Sequence, residues 1–167
     1  MGALITRRSL LTGAVAVGAA LSLAGVVHLP AAATGGRVLS ELERTVVEHI
    51  AEVFFPGAPM PLSGVEAGVA EEVDRILAEV VPPLHATGFR YLLRGLEWGP
   101  LYSHGARFTQ LGVRERAEVL EIWSDPGILP RRVAFDALRM VMGMAYFRHP
   151  EVREAMGYRM LCGGGVA

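Results

Sequence analysis

The stretch LSELERTVVEHIAEVFFPG, Leu39 to Gly57, decides the fold class. Ser40 followed three residues later by Glu43 is a capping-box signature: the serine side chain accepts from the first helical turn and the glutamate reaches back to the serine N–H. Leu42, Val46, Val47, Ile50, Val53 and Phe54 then recur at helical spacing, so one face is apolar. Pro56-Gly57 ends the pattern, because proline removes a backbone donor and glycine accepts the geometry of a stop. One amphipathic helix of this kind must bury its stripe against others.

The rest of the chain supplies them. A proline-rich loop, Pro56 to Gly64, leads to Ser63 and Glu66, a second capping-box pair. A helix is predicted from about Val65 to Val80, with Val69, Val73, Ile76, Leu77 and Val80 inward and Glu71, Glu72, Asp74 and Arg75 toward water. Pro82-Pro83 separates it from a third helix, Pro83 to Glu97, carrying Leu84, Phe89, Leu92, Leu93 and Leu96 and ended by Gly99-Pro100. LYSHGARFTQLG, Leu101 to Gly112, reads as an irregular connector. A fourth helix follows over Val113 to Trp123, with Val113, Ala117, Leu120 and Trp123 inward. After the turn SDPGILP, a fifth runs from Pro130 to Phe147 with Val133, Phe135, Leu138, Met140, Val141, Met144 and Phe147 inward; Pro150 opens a last short one ending near Gly157-Tyr158. No stretch alternates with period two. The expectation is an all-α domain of about five or six helices over residues 40–158, preceded by a short linker at 34–39 and followed by a flexible tail at 159–167.

The segment before it has a different character. ITRRSLLTGAVAVGAALSLAGVVHLPAAATGG, Ile5 to Gly36, places Arg7 and Arg8 ahead of a run without charge from Ser9 to Gly36. A positive start, an apolar middle and small residues before a cut make an export signal, with Ala31 and Ala33 as the A-x-A positions and cleavage expected after Ala33. The paired arginines followed by Ser9-Leu10-Leu11 resemble a twin-arginine (Tat) signal, a receptor-read address. Gly13, Gly18 and Gly25 keep the middle less hydrophobic than a leucine-rich signal. The competing reading is a retained membrane span, since about 18 uncharged apolar residues reach across a bilayer. Export places the chain in the periplasm.

Removal of the first 33 of 167 residues leaves 134, one ordinary domain. Every basic residue is an arginine. Fourteen of the 16 arginines remain against 17 acidic residues, a slight negative balance that gives no footprint for nucleic acid and no polybasic membrane patch. Cys162 is the single cysteine, so there is no internal disulfide, cysteine-built zinc site or iron–sulfur cluster. An odd cysteine in an exported chain points to a bond between molecules or to a free thiol.

Catalytic motifs are sparse. His49 and Glu52 stand one turn apart but make half a metal site, and no Glu-x-x-His occurs for a di-iron bundle. Ser103-His104 lacks a G-x-S-x-G elbow, and Asp125 and Asp136 lack a catalytic context. Met140, Met142 and Met144 alternate on a helix and so fall on different faces. Trp98, Tyr102, Phe108 and Trp123 surround the connector, with Arg107 close by. These four are either core packing or a partner surface, since Trp, Tyr and Arg are common interface anchors. The residues alone show no catalytic constellation, so an independent enzyme is not expected, and a free-standing helical binding or structural protein stays open.

Three blocks carry a resemblance: the opening stretch already quoted, GLEWGPLYSHGARFTQLGVRERAEVLEIW, and RRVAFDALRMVMGMAYFRHPEVREAMGY. Together they resemble the gluconate 2-dehydrogenase subunit 3 family, the small subunits of membrane-associated FAD-dependent sugar and alcohol dehydrogenases. Phe108, Thr109, Leu111, Arg114, Glu115, Arg116 and Trp123 hold the family's places in the middle block, whereas Gly112 stands where serine is usual and weakens that helix's N-cap. The resemblance implies a chain that holds no cofactor itself. Its partners would be a GMC-type flavoprotein carrying FAD and, in many complexes, a multihaem cytochrome c. It further implies that the Tat translocase receives the flavoprotein through this chain's signal. Cys162 is then the candidate for a disulfide between subunits.

Overall fold

The computed structural model describes residues 38–157, apart from 126 and 128. Arg7, Arg8, Ala31, Ala33 and Cys162, with the linker to residue 37 and the tail from 158, lie outside the described residues. Helices α1 (Glu41–Phe54), α2 (Val69–Glu79), α3 (Pro83–Trp98), the single turn α4 (Leu101–His104), α5 (Val113–Ser124), α6 (Leu129–Tyr146) and α7 (Pro150–Ala155) follow in order, with a 3-10 turn at Phe108–Gln110. Among the described residues there is no strand. The fold is all-α, as the periodicity requires.

Helix α1 is the central element: α2, α3, α5 and the 3-10 turn all pack on it, and α6 packs on α2 and α5. Its capping box forms as expected, with Ser40 N–H donating to Glu43 Oε2 at 2.8 Å and Glu43 N–H to Ser40 Oγ at 3.4 Å. Val46, Val47, Ile50 and Ala51 are buried on its inner face against Val69, Val73 and Ile76 of α2 and Leu93 and Leu96 of α3. No helix of the described residues is long and apolar enough to cross a membrane.

Several expectations are corrected. The Ser63–Glu66 box forms, but it caps a turn; α2 begins only at Val69 because Gly68 takes a left-handed φ of 63°. Asp74 does not face water. It is buried, and its Oδ1 accepts the Val38 and Leu39 N–H groups at 2.9 and 2.8 Å, which fixes the chain entering α1 to the middle of α2. Val80, Leu84 and Val113 are exposed, because they sit at helix ends beyond the neighbours that would cover them. Val133, Met140, Met144 and Phe147 are exposed along α6. That helix instead buries Leu138, Val141, Met142, Ala145 and Tyr146.

The loop from α1 to α2 approaches α1 closely at Gly64. A Cβ there would lie 2.8 Å from both the Cβ and the carbonyl oxygen of Ala51, while Gly64 N–H donates to Phe55 O at 2.8 Å. Gly64→Ala is therefore expected to destabilise the domain by about 1–3 kcal/mol, the usual cost of overpacking. Thermal unfolding followed by circular dichroism checks it; an unchanged midpoint means that the loop moves aside at no cost.

Candidate partner interface

The connector between α3 and α5 is irregular in backbone yet tied down at both ends. Glu97, buried at the end of α3, accepts Thr109 N–H and Thr109 Oγ1 at 3.1 and 2.9 Å. From α5, buried Arg116 donates through Nε to Phe108 O and through Nη2 to Thr109 O, both at 3.3 Å, and through Nη1 to Glu52 Oε2 of α1 at 2.6 Å. The 3-10 turn is thus bonded to α3 and α5 and linked through Arg116 to α1. At the start of α5, Glu115 accepts the Gly112 N–H at 2.9 Å, so half a capping box remains although glycine offers no side-chain acceptor.

This anchoring sorts the four aromatic candidates. Phe108 is fully buried and is a core residue, which corrects its expected place on a partner surface: its carbonyl is held by Arg116 and its ring fills the space under the connector. Trp123 is half-buried and packs beside Gly95 of α3. Trp98 and Tyr102, by contrast, stand out. Trp98 is 48 % exposed with the Arg107 guanidinium 5.5 Å from its ring centroid, and Tyr102 is fully exposed beside half-exposed Leu101. A tryptophan, a tyrosine and an arginine on a rigidly held corner have the composition of interface anchors.

The remaining chemical candidates are engaged in structure. His49 Nδ1 lies 3.2 Å from Glu52 Oε2, the same oxygen that takes Arg116, so the pair belongs to an ionic link between α1 and α5. Ser103 Oγ and His104 Nδ1 lie 2.7 Å apart on adjacent exposed residues. Asp125 accepts the Gly127 N–H and Asp136 pairs with Arg132, so neither orients that histidine. Among the described residues no group of three or more His, Cys, Asp or Glu side chains is placed to hold a metal ion.

Sequence reasoning missed a second exposed surface. Phe55, just after α1, meets Tyr146 and Phe147 at the end of α6: it stacks on Tyr146 with centroids 4.1 Å apart and planes 7° apart, Phe147 closes edge-on at 6.3 Å, and Phe54 packs edge-on against Phe55 and Phe135. Tyr146 is locked by donating its hydroxyl to Leu62 O at 2.6 Å, and burial raises its pKa above the ordinary tyrosine value. Beside this stack Met140, Met144, Phe147 and Val80 form an exposed apolar stripe. The period of Met140, Met144 and Phe147 along α6 was visible; it simply equals that of a core face.

The model of gluconate 2-dehydrogenase subunit 3 matches residues 41–165. The chain belongs to the gluconate 2-dehydrogenase subunit 3 family. No curated protein and no solved structure matches the chain. Family membership makes it an accessory subunit of a dehydrogenase complex, which associates with other subunits of that complex. The Trp98–Tyr102 corner and the α6 stripe are exposed apolar surfaces among the described residues. Trp98→Ala and Tyr102→Ala are expected to leave the helical spectrum unchanged, because both rings lie outside the core, while weakening assembly by about 2 kcal/mol or more. Calorimetric titration of the variants against the partner subunit measures this; loss of helicity instead would assign the rings to packing.

Proposed function

We propose that this chain is the non-catalytic small subunit of a periplasmic FAD-dependent dehydrogenase complex of the GMC type. Its twin-arginine leader carries the flavoprotein subunit through the Tat translocase, and its helical body stabilises that subunit. The family match over residues 41–165 carries the reading. The leader supplies the export half. Many catalytic subunits of this kind lack a signal of their own, so the folded pair travels on one address.

FAD belongs to the flavoprotein in this reading, and haem c to a cytochrome subunit where one is present. Among the described residues there is no strand, so the strand, glycine-rich turn and helix N-terminus of a Rossmann-type dinucleotide cradle do not follow one another there. Cys162 is proposed to bond to a cysteine of a partner, locking a complex that formed before export; it adds no catalytic chemistry.

Co-expression of the full chain with a GMC-type flavoprotein subunit from the same genome tests the proposal. A tagged chain is expected to bring down the untagged flavoprotein with its FAD absorbance, whereas the chain purified alone is colourless. Non-reducing electrophoresis of the same complex should show one band at the summed mass. A chain that purifies alone with bound flavin, or that leaves the flavoprotein in the flow-through, overturns the reading and favours a free-standing binding protein.

A further inference from the structure

Two shallow grooves lie side by side on the outer face of α6 and share Phe147 as a wall. One is lined by Phe54, Phe55, Arg139, Gly143 and Phe147, the other by Ile76, Val80, Met144, Phe147 and Arg148. Val80 and Met140 are 62 % exposed, and Phe147 and Met144 just over 40 %, which is costly for a contiguous apolar surface unless something covers it. The grooves are open and almost wholly apolar. They lack the convergent polar groups that orient a small ligand, so their shape suits side chains of another protein.

Charge indicates what those side chains are attached to. Most arginines among the described residues are matched: Arg44 with Glu71, Arg90 and Arg94 with Glu43, Arg114 with Glu118, Arg116 with Glu52, Arg132 with Asp136, and Arg148 with Glu72. Arg139 is exposed and has no such partner among the described residues, yet it stands on the rim of the first groove. Gly143 forms the floor there. A Cβ on it would meet nothing nearer than Phe147 Cε2 at 4.0 Å, so the floor has room for a side chain to begin.

We infer that this double groove is the docking site for an amphipathic segment of the catalytic subunit. That segment inserts two neighbouring apolar side chains on either side of Phe147 and sets a carboxylate against Arg139. The inference rests on the proposed function for the identity of the partner. A helix laid in a groove presents apolar residues three or four apart, which matches two adjacent grooves on one helix face. The methionines suit such a surface, because flexible thioethers adapt to the shape of the inserted group.

Two variants test this without touching the core. Gly143→Leu fills the first groove while improving helix propensity, and Arg139→Glu reverses the rim charge without breaking any ion pair. The full chain and both variants are titrated under reducing conditions against the separately purified catalytic subunit, with circular dichroism and thermal unfolding as fold controls. Each variant is expected to melt no lower than the wild type and to raise Kd at least tenfold. Wild-type binding with unchanged Kd in both variants overturns the groove and leaves the subunit assignment standing. Failure of the wild type itself to bind overturns both. A wild-type homodimer that the variants dissociate, with binding to the catalytic subunit unaffected, assigns the groove to a second copy and also overturns the inference.

Discussion

Glu43→Ala is expected to destabilise the domain by about 3–5 kcal/mol, the cost of breaking a buried ion pair from one side. Glu43 is 1 % exposed, and both its oxygens are engaged: Oε2 takes the Ser40 N–H at 2.8 Å and Arg90 Nε at 3.0 Å, and Oε1 takes Arg94 Nε at 3.0 Å. Alanine removes one carboxylate and leaves two guanidinium groups of α3 short of their counter-charge, one buried and one half-buried. It also opens the capping box, so the first turn of α1 loses its acceptor for the Ser40 N–H. A domain of this size holds roughly 5–15 kcal/mol in all, so the variant would be marginal. Urea titration at neutral pH measures the loss. A cost below about 1 kcal/mol would mean that water replaces the carboxylate freely.

The same residue sets an acid limit. Burial by itself would raise the Glu43 pKa, but the Ser40 backbone hydrogen bond, the Arg90 hydrogen bond and the Arg90 charge outweigh it and hold the carboxyl below its ordinary 4.5. A folded-state pKa below the unfolded one contributes stability that is fully present above pH about 4.5 and is lost as the pH falls through the depressed value. Glu43→Gln keeps the shape and removes the titration. Its stability should therefore lie below wild type at pH 7, and the gap should close in acid. A constant gap across that range would place the acid sensitivity in other carboxylates.

Replacement of both Arg7 and Arg8 by lysine is expected to hold the chain, and the flavoprotein with it, in the cytoplasm. Lysine preserves the positive start of the leader, so an export route that reads only charge and hydrophobicity would continue. A route that reads the arginine pair as an address would not. The contrast is close to all-or-none, and fractionation with immunoblotting of both subunits shows it. Cytoplasmic retention of this chain with normal export of the flavoprotein would separate the leader from the escort role. Normal periplasmic levels of both would remove Tat from the proposal.

Much of the architecture was legible because it is local. Ser40 and Glu43 cap α1 as their spacing requires, Pro83 opens α3, Gly112 retains half a cap through Glu115, and proline and glycine separate the helices. The site was legible only in part. Trp98 and Tyr102 are exposed and Arg107 packs on the Trp98 ring, but Phe108, only six residues after Tyr102, is inside. Residue type marks all of them as able to bury or to bind, and a side chain chooses only when a neighbour arrives.

The sequence by itself determined what depends on separations of three or four residues: helix content, caps, stops, and the stripe each helix must hide. Family membership was legible too, as a resemblance carried by three blocks of sequence and matched over residues 41–165. Tertiary structure alone decided how much of each stripe is covered. On α6 the period of Leu138, Val141, Met142 and Ala145 and that of Met140, Met144 and Phe147 are both helical, yet only the first set is buried. It also decided the charges. Glu43 reaches Arg90 and Arg94 across 47 and 51 residues, and Arg116 reaches Glu52 across 64. Helical periodicity fixes directions around one axis; burial and ion pairing depend on where the next axis lies, and that is set by packing of the whole chain.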